Sequence, residues 1–169
     1  MDLSEINFAV LVASLIVAST PLVLAALGEL IVEKAGVLNL GVEGMMIIGA
    51  VAGFIVGVET GSAYIGMIAA AVAGALLSLL FAFIILIMQA NQVASGLALT
   101  IFGLGIAALM GHPYTGIKSP QISTISIPIL SEIPILGTMF FQHDLIVYLS
   151  LISVLTIWYF LTRMRAGLI

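Results

Sequence analysis

The sequence predicts an all-α fold, a polytopic integral membrane bundle of about five transmembrane helices. Of the 169 residues, 63% are hydrophobic and only 7% are charged, whereas soluble domains carry about 25% charged residues. A soluble domain of this size could not bury so much apolar surface. The apolar runs are long and do not alternate with polar residues, which excludes a transmembrane barrel. Helices remain, because lipid offers the backbone no hydrogen-bond partners.

Five apolar segments each approach the roughly 20 residues that a membrane-spanning helix needs. They cover residues 6–27, 35–58, 62–88, 93–111 and 145–161. The third is long enough to cross the membrane at a tilt. The second carries several glycines and two polar residues near its start, which predicts that one helix of the bundle is broken or re-entrant.

The connection 112–144, between the fourth and fifth segments, is too rich in proline for one long helix. It remains rich in Ile and Leu, so we expect it to fold back onto the helix ends. With five crossings, Lys34, Arg163 and Arg165 share one side of the membrane and Lys118 lies on the other. Because basic residues in short loops favour the cytoplasmic side, we predict that Lys34 faces the cytoplasm and that 112–144 faces outward.

Small residues recur every four positions along the second, third and fourth segments, so that each forms a stripe on one helix face. Such stripes let helix backbones approach closely in lipid. We predict helix packing at five of these positions: Gly49, Gly53, Gly57, Gly74 and Gly103. The same stripes would also suit surfaces that slide during a conformational cycle, and the sequence does not separate the two.

The stretch GVLNLGVEG, residues 36–44, breaks the stripe of the second segment. Its three glycines predict a bend, an unwound turn or a loop, since glycine weakens a helix by about 1 kcal/mol relative to alanine in water. Membrane transporters often break a helix where it lines the path of the solute, because the freed backbone groups then face a cavity. The first interpretation of this stretch is therefore that Asn39 and Glu43 are polar groups that face a cavity or a neighbouring helix.

A second interpretation of this stretch stays open. If the helix begins at Gly44, Glu43 is an exposed carboxylate favoured by the positive end of the helix dipole. Asn39 is then a cap for the helix that follows. If the stretch is helical instead, Asn39 and Glu43 lie on one face, because they are four residues apart.

Two further polar stretches have alternative interpretations. In MQANQVASG, residues 88–96, Asn91 and Gln92 belong either to a polar turn with a helix N-cap or to a turn that dips into the bilayer and presents amides to a solute. In GELIVEKAG, residues 28–36, the two glutamates and the lysine predict a solvated cytoplasmic segment, with docking of a partner protein as the alternative.

Several function classes are excluded. The chain has no cysteine, and His112 and His143 lack the further ligands that a metal site needs. The sequence contains no phosphate-binding glycine loop with its lysine and no basic cluster for nucleic acid. We predict a chain without catalytic residues, metal or cofactor, so that any ATP hydrolysis occurs on a partner chain.

Four stretches, in the same order along the chain, resemble a known family. They are EKAGVLNLGVEGMMIIGA (33–50), QANQVASGLAL (89–99), IPILSEIPILG (127–137) and TRMRAGL (162–168). Together they resemble the permease subunits of nucleoside and simple-sugar ABC importers, and 127–137 is most similar to the nucleoside branch. Branched-chain amino-acid permeases share a looser form of 39–49.

The resemblance implies a transmembrane subunit in the lipid of the plasma (inner) membrane, paired with a second permease subunit. It implies cytoplasmic ATP-binding subunits that carry ATP and Mg, an external solute-binding protein and a small polar solute. It also implies that the matched residues Asn39, Gly41, Glu43 and Gly44 lie near the translocation path and belong to the substrate pathway. Residues 1–169 would form a single transmembrane permease domain, the N-terminal part of a chain that continues into a coupling loop and further helices. Two alternatives remain: a branched-chain amino-acid permease, and an ion- or proton-conducting subunit that uses Glu43.

Overall fold

The computed structural model describes residues 8–126, 133 and 136–164, and it confirms the all-α fold. Within these residues, five helices are long and apolar enough to cross a membrane. The helices and strands, in chain order, are α1 (Phe8–Lys34), α2 (Val42–Thr60), α3 (Ala63–Ala82), α4 (Gln92–Gly111), β1 (Ile125–Ser126), α5 (Leu136–Phe140), β2 (Gln142–His143) and α6 (Leu145–Arg163). A π-helical turn, Phe83–Ile87, extends α3, and a 3-10 turn, His112–Tyr114, extends α4.

The first two helices differ from their predicted bounds. α1 continues to Lys34, so the predicted end of the first segment at residue 27 is wrong by about two turns. Gly36 ends the helix with a left-handed backbone, φ 82°. The N–H of Gly36 donates to the carbonyl of Glu33 (2.9 Å) and that of Val37 to the carbonyl of Val32 (3.1 Å). This is a Schellman motif, and it satisfies carbonyls that the helix end would otherwise leave free.

The second helix begins at Val42, so its predicted start at residue 35 is wrong by about two turns. Because Asn39 precedes the helix, Asn39 and Glu43 do not share a helix face. The start at Val42 places Glu43 in the first turn of α2, where its side chain is exposed. The three remaining predicted segments lie within about two residues of α4, of α6 and of α3 taken together with its π-helical turn.

The chain divides into two compact units, and Glu29–Ile122 forms one of them. Here α2 packs against both α3 and α4, around a core of Leu77, Phe81, Ile85 and Leu99. The outward faces expose large apolar side chains, for example Ile101 at 71%. Such faces suit lipid, which does not penalise exposed apolar surface as water does.

The other unit contains the described residues up to Gly28 and from Ser123 onward. β1 pairs antiparallel with β2, with Ile125 opposite His143. His143 is buried, and a nitrogen of its ring lies 2.8 Å from the carbonyl oxygen of Met139. Asp144 caps α6, since its Oδ1 accepts from the N–H of Val147 at 3.1 Å.

The connection 112–144 is only partly described. Residues 119–122 fold back onto α2 and α3 as predicted, and the Pro120 ring lies against Gly57. Residues 127–132, 134 and 135, which carry much of the 127–137 resemblance, lie outside the described residues. So do Arg165 and the rest of the final stretch beyond residue 164.

Candidate functional site

Residues 37–41, here called the pre-α2 segment, connect the end of α1 to the start of α2 without helical structure. A backbone outside a helix lacks the regular hydrogen bonds that a helix supplies, and this matters most near lipid. In this segment side chains from α1, from α4 and from the segment itself bind the backbone groups of four successive residues, 38–41. The segment is therefore fixed by tertiary contacts and not by its own periodicity.

Two of these side chains come from α4. Gln92 accepts a hydrogen bond at Oε1 from the N–H of Leu38, at 2.8 Å. Thr100 donates its hydroxyl to the carbonyl of Leu40, at 3.0 Å. The two residues lie about two turns apart on α4, so they hold the segment at two points along that helix.

The other two bonds involve Asn39, whose side chain is only 7% exposed. Its backbone N–H donates to Glu29 Oε1 at 3.0 Å, which ties the segment to α1. Its Oδ1 accepts from the N–H of Gly41 at 2.9 Å, a local turn of the kind that asparagine favours. Its Nδ2 lies 3.7 Å from Met45 Sδ. Asn39 thus shapes the turn from which α2 starts.

Close backbone contacts seat this turn on α4. A Cβ added to Gly96 would lie 2.9 Å from the nitrogen of Leu40 and 3.0 Å from that of Gly41. A Cβ added to Gly44 would lie 2.7 Å from Thr100 Cα. Because the obstructing atoms belong to backbone, a larger side chain at Gly96 or Gly44 would separate the segment from α4.

The structure brings four of the six predicted pathway residues together. Asn39, Gly41 and Gly44 line the turn, and Gln92 binds it from α4. Glu43 is exposed on the first turn of α2 and takes no part in these described contacts.

Asn91 also lies apart from the turn. It is the N-cap of α4, accepting from the N–H of Ala94 at 3.0 Å. This is the capping alternative that the sequence left open for 88–96. Whether any of the six residues meets a solute stays a prediction.

The described residues contain no candidate metal site. Within them, no three His, Cys, Asp or Glu side chains could hold a metal ion together. A cleft of about 280 Å³ between α2, α3 and residues 119–122 is lined mainly by apolar and small side chains such as Phe54, Met67 and Gly66. We therefore take the pre-α2 segment, with its four hydrogen bonds from side chains to backbone groups, as the candidate site.

Comparison with known proteins places the chain in a transport family. A family model described as the permease component of branched-chain amino acid transport systems matches residues 11–169. The chain belongs to this permease family. No solved structure matches it.

Three relatives are similar to this permease chain. A protein of Haloferax volcanii, provisionally named a glucose ABC transporter permease, is 40% identical over 155 residues, covering 89% of this chain and 47% of the relative. The guanosine ABC transporter permease of Bacillus subtilis is 34% identical, over 99% of this chain and 56% of the relative. The nucleoside ABC transporter permease of Lactococcus lactis is 31% identical, over 94% and 54%. This permease chain spans about half the length of these relatives.

The predicted packing glycines of the permease chain differ in their surroundings. A Cβ at Gly53 would lie 2.8 Å from Ala70 Cβ, and one at Gly49 would lie 3.1 Å from the carbonyl oxygen of Ala70. At Gly57 the nearest atom would be the Pro120 ring at 3.6 Å, and at Gly74 the carbonyl oxygen of Met45 at 3.8 Å. Gly103 faces Gly44 across the contact between α2 and α4, where a Cβ would meet the Gly44 carbonyl oxygen at 2.8 Å.

Sequence reasoning missed three residues of the candidate site: Glu29, Gly96 and Thr100. Glu29 was assigned to solvent because charged side chains are mostly exposed, yet its Oε2 is buried. Gly96 and Thr100 continue the small-residue stripe of α4 toward its start, with Gly103 and Ala107 one and two turns further on. Extending that stripe toward the start of α4 by one turn reaches Thr100, and by two turns Gly96.

Thr100→Val tests the contact between α4 and the segment. The variant keeps the shape of the side chain and removes the hydroxyl that binds Leu40, so we expect the detergent-solubilised protein to lose about 1 kcal/mol of stability. The measurement is the apparent Tm. Thr156→Val is the matched control, since the Thr156 hydroxyl binds only the carbonyl of Ile152 in its own helix. Equal Tm changes in the two variants would contradict a specific role for Thr100.

Proposed function

We propose that this chain is part of the transmembrane subunit of an ATP-driven ABC importer for nucleosides or a related small polar solute such as a simple sugar. The observation that carries the proposal is the family match over residues 11–169, with relatives named for glucose, guanosine and nucleosides. The chain itself would catalyse no bond chemistry. ATP and Mg would be held by cytoplasmic partner subunits, an external solute-binding protein would deliver the solute, and a second permease subunit would complete the pathway.

The geometry supports an alternating-access mechanism around α2. This helix contacts the backbone of α3 at Gly53 and the backbone of α4 at Gly44. Because no large side chains interlock at these contacts, the helices can shift against one another as packed bodies. The pre-α2 segment is the non-helical element at one end of α2. A short unwound segment can absorb the change in backbone angles when a helix moves, and we assign it that role.

Recognition of the solute would rest on neutral donors and acceptors together with Glu43. Amide and backbone groups match the hydrogen-bonding edges of nucleobases and the hydroxyls of sugars. Glu43 is exposed beside the segment, so a solute can reach its carboxylate, which accepts hydrogen bonds from ribose hydroxyls. The cytoplasmic placement of Lys34 would put this end of α2 near the inner mouth of the pathway.

Uptake by the complete complex in vesicles tests the solute class. We expect saturable, ATP-dependent accumulation of labelled uridine, guanosine or glucose, with leucine as the competing substrate. The family description names branched-chain amino acids, so uptake of leucine alone would replace the proposed solute class with that one. A flux that follows pH and needs no ATP would instead favour the ion-conducting alternative.

Glu43→Gln tests the part played by the exposed carboxylate. Hydrogen bonds to an ionised acceptor are roughly twice as strong as neutral ones, so we expect the KM for the solute to rise about threefold to tenfold while Vmax changes little. Glu33→Gln removes the same charge from another exposed carboxylate, on the last turn of α1, and should leave KM unchanged. An unchanged KM in Glu43→Gln would remove Glu43 from the pathway.

A further inference from the structure

Glu29 is the one described side chain in which a buried oxygen has no hydrogen-bond partner. The residue lies near the end of α1. Its Oε1 accepts from the backbone N–H of Asn39 at 3.0 Å, while its Oε2 is shielded from solvent and unpaired. Glu33, one turn further along α1, is exposed. The two carboxylates differ in surroundings although they lie on the same helix.

An unpaired buried carboxylate oxygen is unfavourable and calls for an explanation. The bond at Oε1 explains why the side chain turns inward, since it satisfies a backbone N–H of a segment that has no helical partner for it. It does not explain the second oxygen. A group left unsatisfied in one conformation can be satisfied in another when the element that it binds moves.

We propose that Glu29 is a positioning residue of the transport cycle, in which Oε1 fixes the Asn39 amide in the present conformation and Oε2 gains a hydrogen-bond donor in the alternate one. The inference rests on the proposed transport function, because it assigns the pre-α2 segment to the moving parts. Glu29 would act through the backbone of Asn39 and not by touching the solute. Both oxygens of the carboxylate are then needed, at different stages.

Two substitutions separate the two oxygens. Glu29→Gln keeps an acceptor for the Asn39 N–H but places an N–H₂ group where Oε2 stood. In the alternate conformation this N–H₂ group would meet the donor that binds Oε2 in the parent, and two donors cannot form a hydrogen bond. Glu29→Ala removes both. Loss of one such hydrogen bond changes an equilibrium by about fivefold or more. Glu33→Gln is the control for the loss of a charge on α1.

Hydrogen–deuterium exchange of the complete complex reads the first oxygen. In Glu29→Ala the peptide that covers residues 37–41 should exchange at least about fivefold faster, whereas Glu29→Gln and Glu33→Gln should exchange at the parental rate. The peptide that covers the middle of α2 should not change in any variant, which separates local release from unfolding. Unchanged exchange in Glu29→Ala would overturn the proposal.

Uptake kinetics read the second oxygen. Glu29→Gln should lower Vmax about fivefold or more with the KM unchanged, despite its normal exchange, and Glu33→Gln should match the parent. If Glu29 only held the segment in place, Glu29→Gln would have both the exchange rate and the Vmax of the parent. That result would overturn the role of Oε2. The exchange measurement needs no solute. If the parent complex imports neither nucleoside nor sugar, the proposed function fails separately, and turnover of ATP by the complex replaces uptake as the measure of the cycle.

Discussion

Gly103→Ala should destabilise the contact between α2 and α4, whereas Gly105→Ala, two residues along the same helix, should not. A Cβ at Gly103 would lie 2.8 Å from the carbonyl oxygen and 2.9 Å from the Cα of Gly44, whereas nothing lies within 4 Å of a Cβ at Gly105. The atoms in the way are backbone, so no side-chain rotation relieves the clash. Overpacking of this kind costs about 1–3 kcal/mol, while alanine at an open helical position adds up to about 1 kcal/mol in water.

The measurement is the apparent Tm of the complete complex in detergent. We expect Gly103→Ala to melt several degrees below the parent and Gly105→Ala at or slightly above it. Gly103→Ser should resemble Gly103→Ala, because the clash begins at Cβ. Equal apparent Tm values for Gly103→Ala and Gly105→Ala would contradict the close backbone contact between Gly103 and Gly44.

This comparison also marks the limit of what the glycine stripes predict. A spacing of four places residues on one helix face, and composition together with long apolar runs was enough to predict five spanning helices. The spacing does not say which helix lies opposite. Gly74 shares the period but has only the Met45 carbonyl oxygen within 4 Å, whereas Gly44, assigned by sequence to an irregular polar stretch, makes one of the closest approaches.

The helix ends show why local signals were insufficient. The predicted first segment ends at residue 27, before the charged residues Glu29, Glu33 and Lys34. The helix nevertheless continues through them and stops at the left-handed backbone of Gly36. Glu29 turns inward because the N–H of Asn39 requires an acceptor, and that acceptor lies ten residues away in sequence. No periodicity encodes such a pairing.

The sequence prediction for residues 36–44 is confirmed for the backbone conformation but not for the relation between Asn39 and Glu43. The glycines at 36, 41 and 44 correctly predicted a stretch without helical structure, and Asn39 lies in that stretch. Asn39 and Glu43 would share a face only if the stretch were helical, and that alternative does not apply because α2 starts at Val42. Burial then separates the two side chains: Asn39 is enclosed and Glu43 is exposed.

Asn39→Ala should therefore have a much larger effect than Asn91→Ala, although both asparagines accept a hydrogen bond from a backbone N–H. Asn39 Oδ1 binds the N–H of Gly41, and both residues are buried. Removing the acceptor leaves a buried donor unsatisfied, which costs about 1–3 kcal/mol, and also removes the turn that sets the start of α2. Asn91 is an exposed N-cap, whose loss costs about 1 kcal/mol.

We expect Asn39→Ala to lower both the apparent Tm and the Vmax of uptake, and Asn91→Ala to lower the Tm slightly with uptake retained. Equal effects would show that Asn39 is only a cap.

The bond from Glu29 reaches the backbone of residue 39 and not its side chain, so it remains possible in Asn39→Ala. Once either hydrogen bond is lost, however, the pre-α2 segment is already partly free, so the loss of the second bond lowers the Tm by less. The double variant Glu29→Ala with Asn39→Ala should thus show a Tm decrease smaller than the sum of the single decreases, as residues that hold one element do. Additive decreases would mean that the two contacts act independently, in which case the pre-α2 segment does not move as one unit.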